Sequence, residues 1–265
     1  LMILLAASCK KDTDAFLTKL PIDQLTDEGY WTSENNVRTF AYGLYVSHFP
    51  GYSTGYFSWG GYFSGDGITD DCAPFVPVQY VQTVPNTSSD WSFTDIRRAN
   101  LMIDRVRKVP MNDEAIRNWT GVARFFRAME YADKVRTFGD FPWYGKVIDE
   151  NNPAELYKPR DPRTLVMDSV LADFNYAAAN VRASDALTGP QGLIVNKSVV
   201  LAFMSRVFLF EGTFLKYHNI DQSKATEYLT AAKNAASQLI ADGGYSVSSD
   251  YRSLFNSLSL AGNPE

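Results

Sequence analysis

The sequence predicts a mainly α protein built of antiparallel helix pairs similar to tetratricopeptide units, with one long aromatic-rich loop inserted between two helices. Apolar residues recur at spacings of three and four over several long segments, which is the period of an amphipathic helix. Strand signals are few and short. The insert, from Phe49 to Trp91, has no helical period, and a loop of this length is usually functional or disordered. Its aromatic content argues against disorder.

The first three helices are predicted from their apolar period and their end signals. A helix over about 33–47 begins after Ser33, a good N-cap residue. A second helix over about 94–108 ends before Pro110, and a third ends at Gly139. The second and third share a 3, 4, 3 apolar spacing, with Ile96, Ala99, Ile103 and Val106 in one and Ile116, Trp119, Ala123 and Phe126 in the other. These two helices are expected to form a hairpin.

Three further helices follow an extended, proline-containing stretch over about 140–160. Asp161 and Pro162 predict a helix start, with Asp161 as the N-cap and Pro162 at the first helical position. From Val199 to Phe210 nearly every side is apolar, so this helix is expected to be central and buried. The last helix is predicted over about 223–241, where an Asp-Gly-Gly sequence stops it.

Charge and composition exclude several classes of function. The 265 residues include 30 acidic and 25 basic side chains, a net charge of −5. This balance argues against nucleic acid as a partner, because proteins that bind it carry basic patches. The two cysteines and two histidines are far apart and form no CxxC, HExxH or mixed cluster. The sequence therefore predicts no zinc site, no disulfide framework and no cofactor.

The N-terminus looks like the end of a secretory signal peptide, expected over residues 1–8, followed by a lipid-anchor linker over 9–24. The apolar run is too short to span a bilayer, which takes about 20 residues. It ends in the small residues Ala7 and Ser8 directly before Cys9, which resembles a bacterial lipobox in which the cysteine receives the lipid. Ala6 stands where the lipobox usually has Leu. The alternative is a frayed apolar terminus with a chance cysteine.

The start of the insert, Phe49–Phe63, is the most unusual stretch of the chain. Seven of its 15 residues are aromatic, against about two expected from a 14% aromatic composition, and it contains no charged residue. Flat aromatic faces are platforms for the C–H faces of sugar rings. The candidate ligand-binding residues are Trp59, Tyr62 and Tyr56, with polar help from Asp66 and Asp70. The alternative is that the rings pack the loop onto the helices.

Two catalytic motifs in the insert have competing explanations. Residues 51–55 match GxSxG, but that motif needs a strand-to-helix turn and a following acid and His. The only His downstream is His218, so a serine hydrolase is not favoured. Asp66, Asp70 and Asp71 offer a general acid/base pair or a calcium cluster, whereas the local preferences of Asp favour turns and caps.

The segments ARFFRAMEY at 123–131 and VRTFGDFP at 135–142 carry the clearest resemblance to a known family. They resemble the EARFLRA and FGDVP signature of the SusD/RagB family of outer-membrane nutrient-binding lipoproteins, with Val122 in place of the usual Glu. Weaker matches lie at 69–71, 91–100, 173–178 and 196–213. The run after Cys9 resembles the export signal of surface lipoproteins in Bacteroidetes-type bacteria.

The resemblance implies a cell-surface lipoprotein of the outer membrane that binds glycans and delivers them to a TonB-dependent transporter, without catalysis. It also implies that residues 25–265 are the N-terminal part of a SusD-like helical domain, since family members continue past Glu265. On physical grounds, Arg124, Arg127 and Arg136 are expected to brace neighbouring helix ends by charge-assisted hydrogen bonds.

Three alternatives remain open at this point. The same fold can bind peptides, because aromatic pockets serve both ligands. A secreted helical glycosidase would use Asp66 or Asp71 as its acid and needs a second carboxylate in the same cleft. A plain helical-repeat scaffold would bury the aromatic loop.

Overall fold

The computed structural model describes residues 26–49, 86–184, 194–242 and 244–256. All regular structure in these ranges is helical, which confirms the predicted mainly α class. The helices are α1 (Asp27–Tyr30), α2 (Glu34–His48), α3 (Thr94–Arg105), α4 (Asp113–Phe138), α5 (Pro153–Leu156), α6 (Arg163–Asn180), α7 (Lys197–Tyr217), α8 (Gln222–Asp242) and α9 (Tyr251–Asn256), with a 3₁₀ turn at Val106–Lys108 after α3.

Local end signals fix the limits of α2 and α4. Ser33 caps α2 as predicted, because its Oγ accepts a hydrogen bond from the amide of Asn36 at 3.3 Å. Asn112 caps α4 in the same way, accepting from the amide of Ala115 at 2.8 Å. Gly139 ends α4 with φ at +73°, in the left-handed region that glycine enters at little cost.

The start of α6 differs from the sequence prediction. Asp161 is not its N-cap: Oδ2 of Asp161 instead accepts from the amide of Trp143 at 2.7 Å and from Nζ of Lys158 at 2.6 Å. Pro162 is the residue before the first helical turn. The free amide of Arg163 is satisfied by Oδ1 of Asp140 at 2.8 Å. A residue 23 positions earlier therefore caps α6, which local sequence rules cannot detect.

Contacts at both ends show that α4 and α6 are antiparallel. The Asp140–Arg163 bond joins the end of α4 to the start of α6. Near the opposite ends, Oδ1 of Asn118 accepts from the amide of Arg182 at 3.0 Å. The first helix turn of α6 is also tied to α7, since Nε and Nη2 of Arg163 bind the two carboxylate oxygens of Glu211 at 2.7 and 2.6 Å.

The second antiparallel pair is α7 and α8. Nζ of Lys197, at the start of α7, lies 2.9 Å from Oδ2 of Asp242, at the end of α8. Gly212 allows the two backbones to approach closely, because a Cβ atom there would lie 2.7 Å from Cγ of Leu229. A larger residue at this position would push the helices apart.

A chain of aromatic rings crosses the core from α4 to α8. Ring centroids are 6.0 Å apart between Phe125 and Phe174 and between Phe174 and Phe208, and 5.3 Å apart between Phe208 and Tyr228. All four side chains are fully buried. Such edge contacts add to the large apolar area that each ring removes from water, so the helix pairs share one core.

The predicted burial of α7 on all sides is wrong. Val200, Leu201 and Phe208 are buried, but Leu209 is 55% and Phe210 is 46% exposed. One face of α7 packs against α6 and α8, and the other carries large apolar side chains at the surface. Among the described residues, α7 is also the one helix long and apolar enough to cross a membrane, by length and composition alone.

Candidate functional site

The residues proposed for function from the sequence all lie outside the described ranges: Cys9, Tyr56, Trp59, Tyr62, Asp66 and Asp70, together with Asp71. Their roles therefore stay predictions. The structure does describe the two stems between which the insert runs. These stems are Phe49 on one side, directly after α2, and residues 86–93 on the other side, before α3.

A partly buried group of charges centred on α4 fastens both stems. Nε2 of His48, the last residue of α2, lies 3.2 Å from Oε2 of Glu130. Nζ of Lys134 lies 2.8 Å from Oε1 of Glu130 and donates to the backbone oxygen of Asp90 at 2.7 Å. We call His48, Glu130 and Lys134 the Glu130 clasp. Two neighbouring side chains of α4 thereby hold residues at both ends of the insert, since Glu130 contacts His48 and Lys134 binds Asp90.

The geometry of the clasp favours the charged form of His48. Nδ1 lies 2.9 Å from the backbone oxygen of Leu44, and Nε2 lies 3.2 Å from Oε2 of Glu130, an ion-pair distance at which it makes no hydrogen bond with a described residue. Burial disfavours the charged ring, but the contacts with Glu130 and Leu44 outweigh it and raise the pKa of His48. For Glu130, burial acts in the opposite direction, yet His48 and Lys134 lower the pKa of the carboxyl.

Aromatic packing holds the same stems. Phe49 is the one member of the aromatic run within the described ranges, and its ring lies 5.7 Å from Tyr45, 6.0 Å from Phe126 and 5.8 Å from Phe203 by centroid. It packs against the core, as the structural alternative for the run expected. Trp91, in the second stem, is 36% exposed.

A second buried charge group lies one turn before the clasp on α4. Nε and Nη2 of Arg127 bind the two carboxylate oxygens of Asp173 on α6, both at 2.7 Å. Nη1 donates to Oδ1 of Asn100 at 2.6 Å and to the backbone oxygen of Gly145 at 2.8 Å. We call Arg127, Asp173 and Asn100 the Arg127 cluster. Arg127 therefore braces two neighbouring helices, at the middle of α3 and α6 and not at their ends as expected. Among the described residues, Arg136 pairs with Asp133 on its own helix.

The Arg127 cluster also anchors the extended segment after α4. Nδ2 of Asn100 donates to the backbone oxygens of Tyr144 and Lys146 at 2.8 and 2.9 Å. The amide of Tyr144 donates to the hydroxyl of Tyr131 at 2.6 Å. These bonds hold the extended segment against α3 and α4.

A cleft of about 470 Å³ lies between α3, the segment 144–151 and α5. Its lining combines apolar side chains with charged and amide side chains at the rim. Sequence reasoning missed this cleft, since no motif marks it. Its two walls lie more than 40 residues apart in the chain and meet through the bonds of Asn100.

The described residues contain no group of three or more His, Cys, Asp or Glu side chains placed to hold a metal ion. The titratable groups of the Glu130 clasp and the Arg127 cluster form ion pairs and hydrogen bonds within the fold.

The chain resembles known proteins in sequence and in fold. No protein-family model matches it. It is 24% identical to SusD-like protein P38 of Formosa agariphila over 96% of this chain and 48% of that protein. A solved SusD-like protein from Bacteroides fragilis superposes with a TM-score of 0.58 at 18% identity, covering 93% of this chain and 46% of the other. NanU of B. fragilis gives a TM-score of 0.61 at 18% identity, covering 89% and 47%.

These likenesses confirm the SusD-like helical fold predicted from the signature at 123–142. The chain spans about half the length of the relatives it matches.

Proposed function

We propose that the chain is a member of the SusD/RagB family, and that it is a surface lipoprotein that binds glycans and delivers them to a TonB-dependent transporter. The observation that carries glycan binding is the aromatic run at the start of the insert, seven rings in 15 residues without a charge. Such a run suits ligands with apolar ring faces.

Binding is an equilibrium process in this proposal, with no catalytic step. Trp59, Tyr62 and Tyr56 stack on sugar rings, and Asp66 and Asp70 accept hydrogen bonds from hydroxyl groups. The Glu130 clasp supports this role, because it fixes both stems of the insert on one helix. Fixed stems reduce the conformational entropy that the loop loses when a ligand binds.

The anchor and the partner follow from the family resemblance. Residues 1–8 are the end of a signal peptide, Cys9 carries the lipid, and 9–24 link it to the helical domain over 25–265. The transporter is a barrel of the outer membrane, and the helix pairs supply the surface that faces it. The two acyl chains of the lipid on Cys9 hold such a protein on a membrane without a spanning helix.

The proposal is tested by affinity electrophoresis on a panel of neutral and acidic polysaccharides. The variant is Trp59→Ala with Tyr62→Ala, and the matched control is Tyr157→Ala with Tyr217→Ala, whose rings are 84% and 75% exposed outside the insert. We expect at least one polysaccharide to retard the wild type and the control, with affinity in the variant about tenfold lower, because two lost stacking contacts cost about 1–3 kcal/mol.

Other outcomes discriminate the alternatives. Equal retardation of the variant and the wild type would show that the ligand site lies outside the aromatic run. A folded wild type that no polysaccharide retards would contradict glycan binding and favour peptides. Release of reducing sugar that Asp66→Asn abolishes would establish a glycosidase.

A further inference from the structure

We propose that the cleft between α3 and the segment 144–151 is a second sugar site, which holds one or two neutral sugar units of the bound glycan. This inference rests on the proposed function, which it deepens by adding a site built entirely of described residues. The cleft volume of about 470 Å³ lies within the range of small-ligand sites, which is about 300–1,000 Å³.

The floor of the cleft suits the apolar face of a sugar ring. Phe93 and Leu156 contribute side chains that are partly exposed, and Ile96 and Tyr144 lie buried beneath. A pyranose ring presents C–H groups on one face and hydroxyl groups around its edge. An apolar floor with a polar rim therefore complements it better than it complements a wholly apolar ligand.

The rim favours a ligand without net charge. Arg97 and Lys146 contribute two positive charges, and Asp149 and Glu150 contribute two negative charges, so the formal sum is zero. The side chains of Arg97 and Glu150 form no hydrogen bond or ion pair with any described residue and are exposed. Hydroxyl groups both donate and accept, so a sugar can satisfy the carboxylate and the guanidinium together.

The backbone of the same wall adds unused donors. In the described part of the chain, the amides from Lys146 to Glu150 donate to no protein acceptor. An extended stretch outside a sheet leaves such groups to water or to a ligand. Sugar hydroxyls are suitable acceptors for them.

Both walls are already fixed without a ligand. Asn100 binds the backbone oxygens of Tyr144 and Lys146. The hydroxyl of Tyr144 donates to the backbone oxygens of Glu155 and Leu156 at 3.0 and 3.2 Å. A preformed cleft avoids the ordering cost that a loop would incur on binding.

The test combines titration calorimetry with sub-second amide hydrogen exchange on the full chain. The probes are maltohexaose, cellohexaose, laminarihexaose and a xylogluco-oligosaccharide, with hexagalacturonate as the acidic counterpart. The variants are Arg97→Ala with Glu150→Ala, and Ile148→Trp to fill the cleft. Arg98→Ala is the matched control, because Arg98 is the next residue on α3 and pairs with Asp95 at 3.2 Å.

We expect one neutral oligosaccharide to slow exchange at amides 146–150. Its Kd should rise about tenfold or more in both cleft variants and stay within about twofold in Arg98→Ala. Neutral glycan binding with unchanged exchange at 146–150 and unchanged Kd in the cleft variants would overturn the second site and leave the proposed function intact. Preference for hexagalacturonate would overturn the neutral ligand class. A folded wild type that binds none of the probes would contradict both proposals.

Discussion

The Arg127 cluster and the Glu130 clasp lie one turn apart on α4, and they differ in what they connect. Arg127, on α4, connects this helix to α3 and α6. Its side chain is 5% exposed, and that of Asp173 is 3% exposed. The clasp joins α4 to the two stems of the insert, and its Glu130 carboxylate is 14% exposed. The first group connects helices of the core and the second holds the two stems of the insert, so damage to each should have different consequences.

The largest effect is expected from Arg127→Met. This change leaves the buried Asp173 carboxylate without its bidentate partner, and the remaining cation, Arg124, lies 3.7 Å away. Removing one partner of a buried ion pair costs up to about 3–5 kcal/mol. The free energy of unfolding in urea measures the loss. Arg136→Ala on the same helix is the control, since Arg136 is 62% exposed and should change stability by less than about 0.5 kcal/mol.

The double variant Arg127→Met with Asp173→Leu separates the loss of the ion-pair contacts from the cost of leaving the Asp173 carboxylate buried without its bidentate partner. Removing both charges should recover part of the stability, because no buried carboxylate remains unpaired. A single variant as stable as the wild type would contradict a structural role for the cluster.

The clasp should respond to pH. The pKa of His48 is raised above its ordinary 6.5, so its contribution is complete below that pH and is lost as the pH rises through the folded value. The pKa of Glu130 is lowered from 4.5, so its contribution is complete above 4.5 and is lost as the pH falls through the folded value. The clasp therefore contributes most to stability between pH 4.5 and pH 6.5. Lys134 and Asp95 are the other charged groups that influence these two pKa values.

Histidine ¹H–¹³C spectra across pH 4–10 measure the His48 midpoint, with His48→Gln to assign its signal against that of His218. We expect a midpoint above 6.5. The unfolding free energy of the wild type should fall relative to His48→Gln as the pH rises through that midpoint. A midpoint below 6.5 would mean that burial outweighs the Glu130 contact.

A smaller effect is expected at the start of α6. Asp140→Ala removes the acceptor for the amide of Arg163, and the loss of a helix cap typically costs about 1 kcal/mol. Asp140→Asn should retain most of the stability, because its amide oxygen still accepts the bond. Equal unfolding midpoints for Asp140→Ala and the wild type would show that this remote cap contributes nothing.

Local signals in the sequence predicted the helices and their ends well. Ser33 and Gly139 act through their immediate neighbours, so their roles can be recognised from the sequence alone. Asp161 failed as a predicted cap because a tertiary partner, Asp140, took its place. The period of α7 could not reveal that Leu209 and Phe210 lie at the surface, since which face is covered depends on the neighbouring helices.

The candidate sites were predicted less completely for the same physical reason. The role of Arg127 was expected, but its partners lie 46 and 27 positions away. The clasp was not expected, because His48 meets Glu130, and Asp90 meets Lys134, only in the folded chain. The aromatic residues of the insert were chosen by composition, and their contacts lie outside the described ranges.

The most direct test of the central claim is the glycan affinity of Glu130→Gln, measured by titration calorimetry beside the wild type and Arg136→Ala. If the clasp positions a glycan-binding insert, the wild type binds at least one polysaccharide, and Glu130→Gln raises its Kd by about threefold or more while remaining folded. Arg136→Ala leaves the Kd unchanged. Equal affinity in Glu130→Gln and the wild type would contradict a role of the clasp in glycan binding, and a folded wild type that binds no glycan would contradict glycan binding itself.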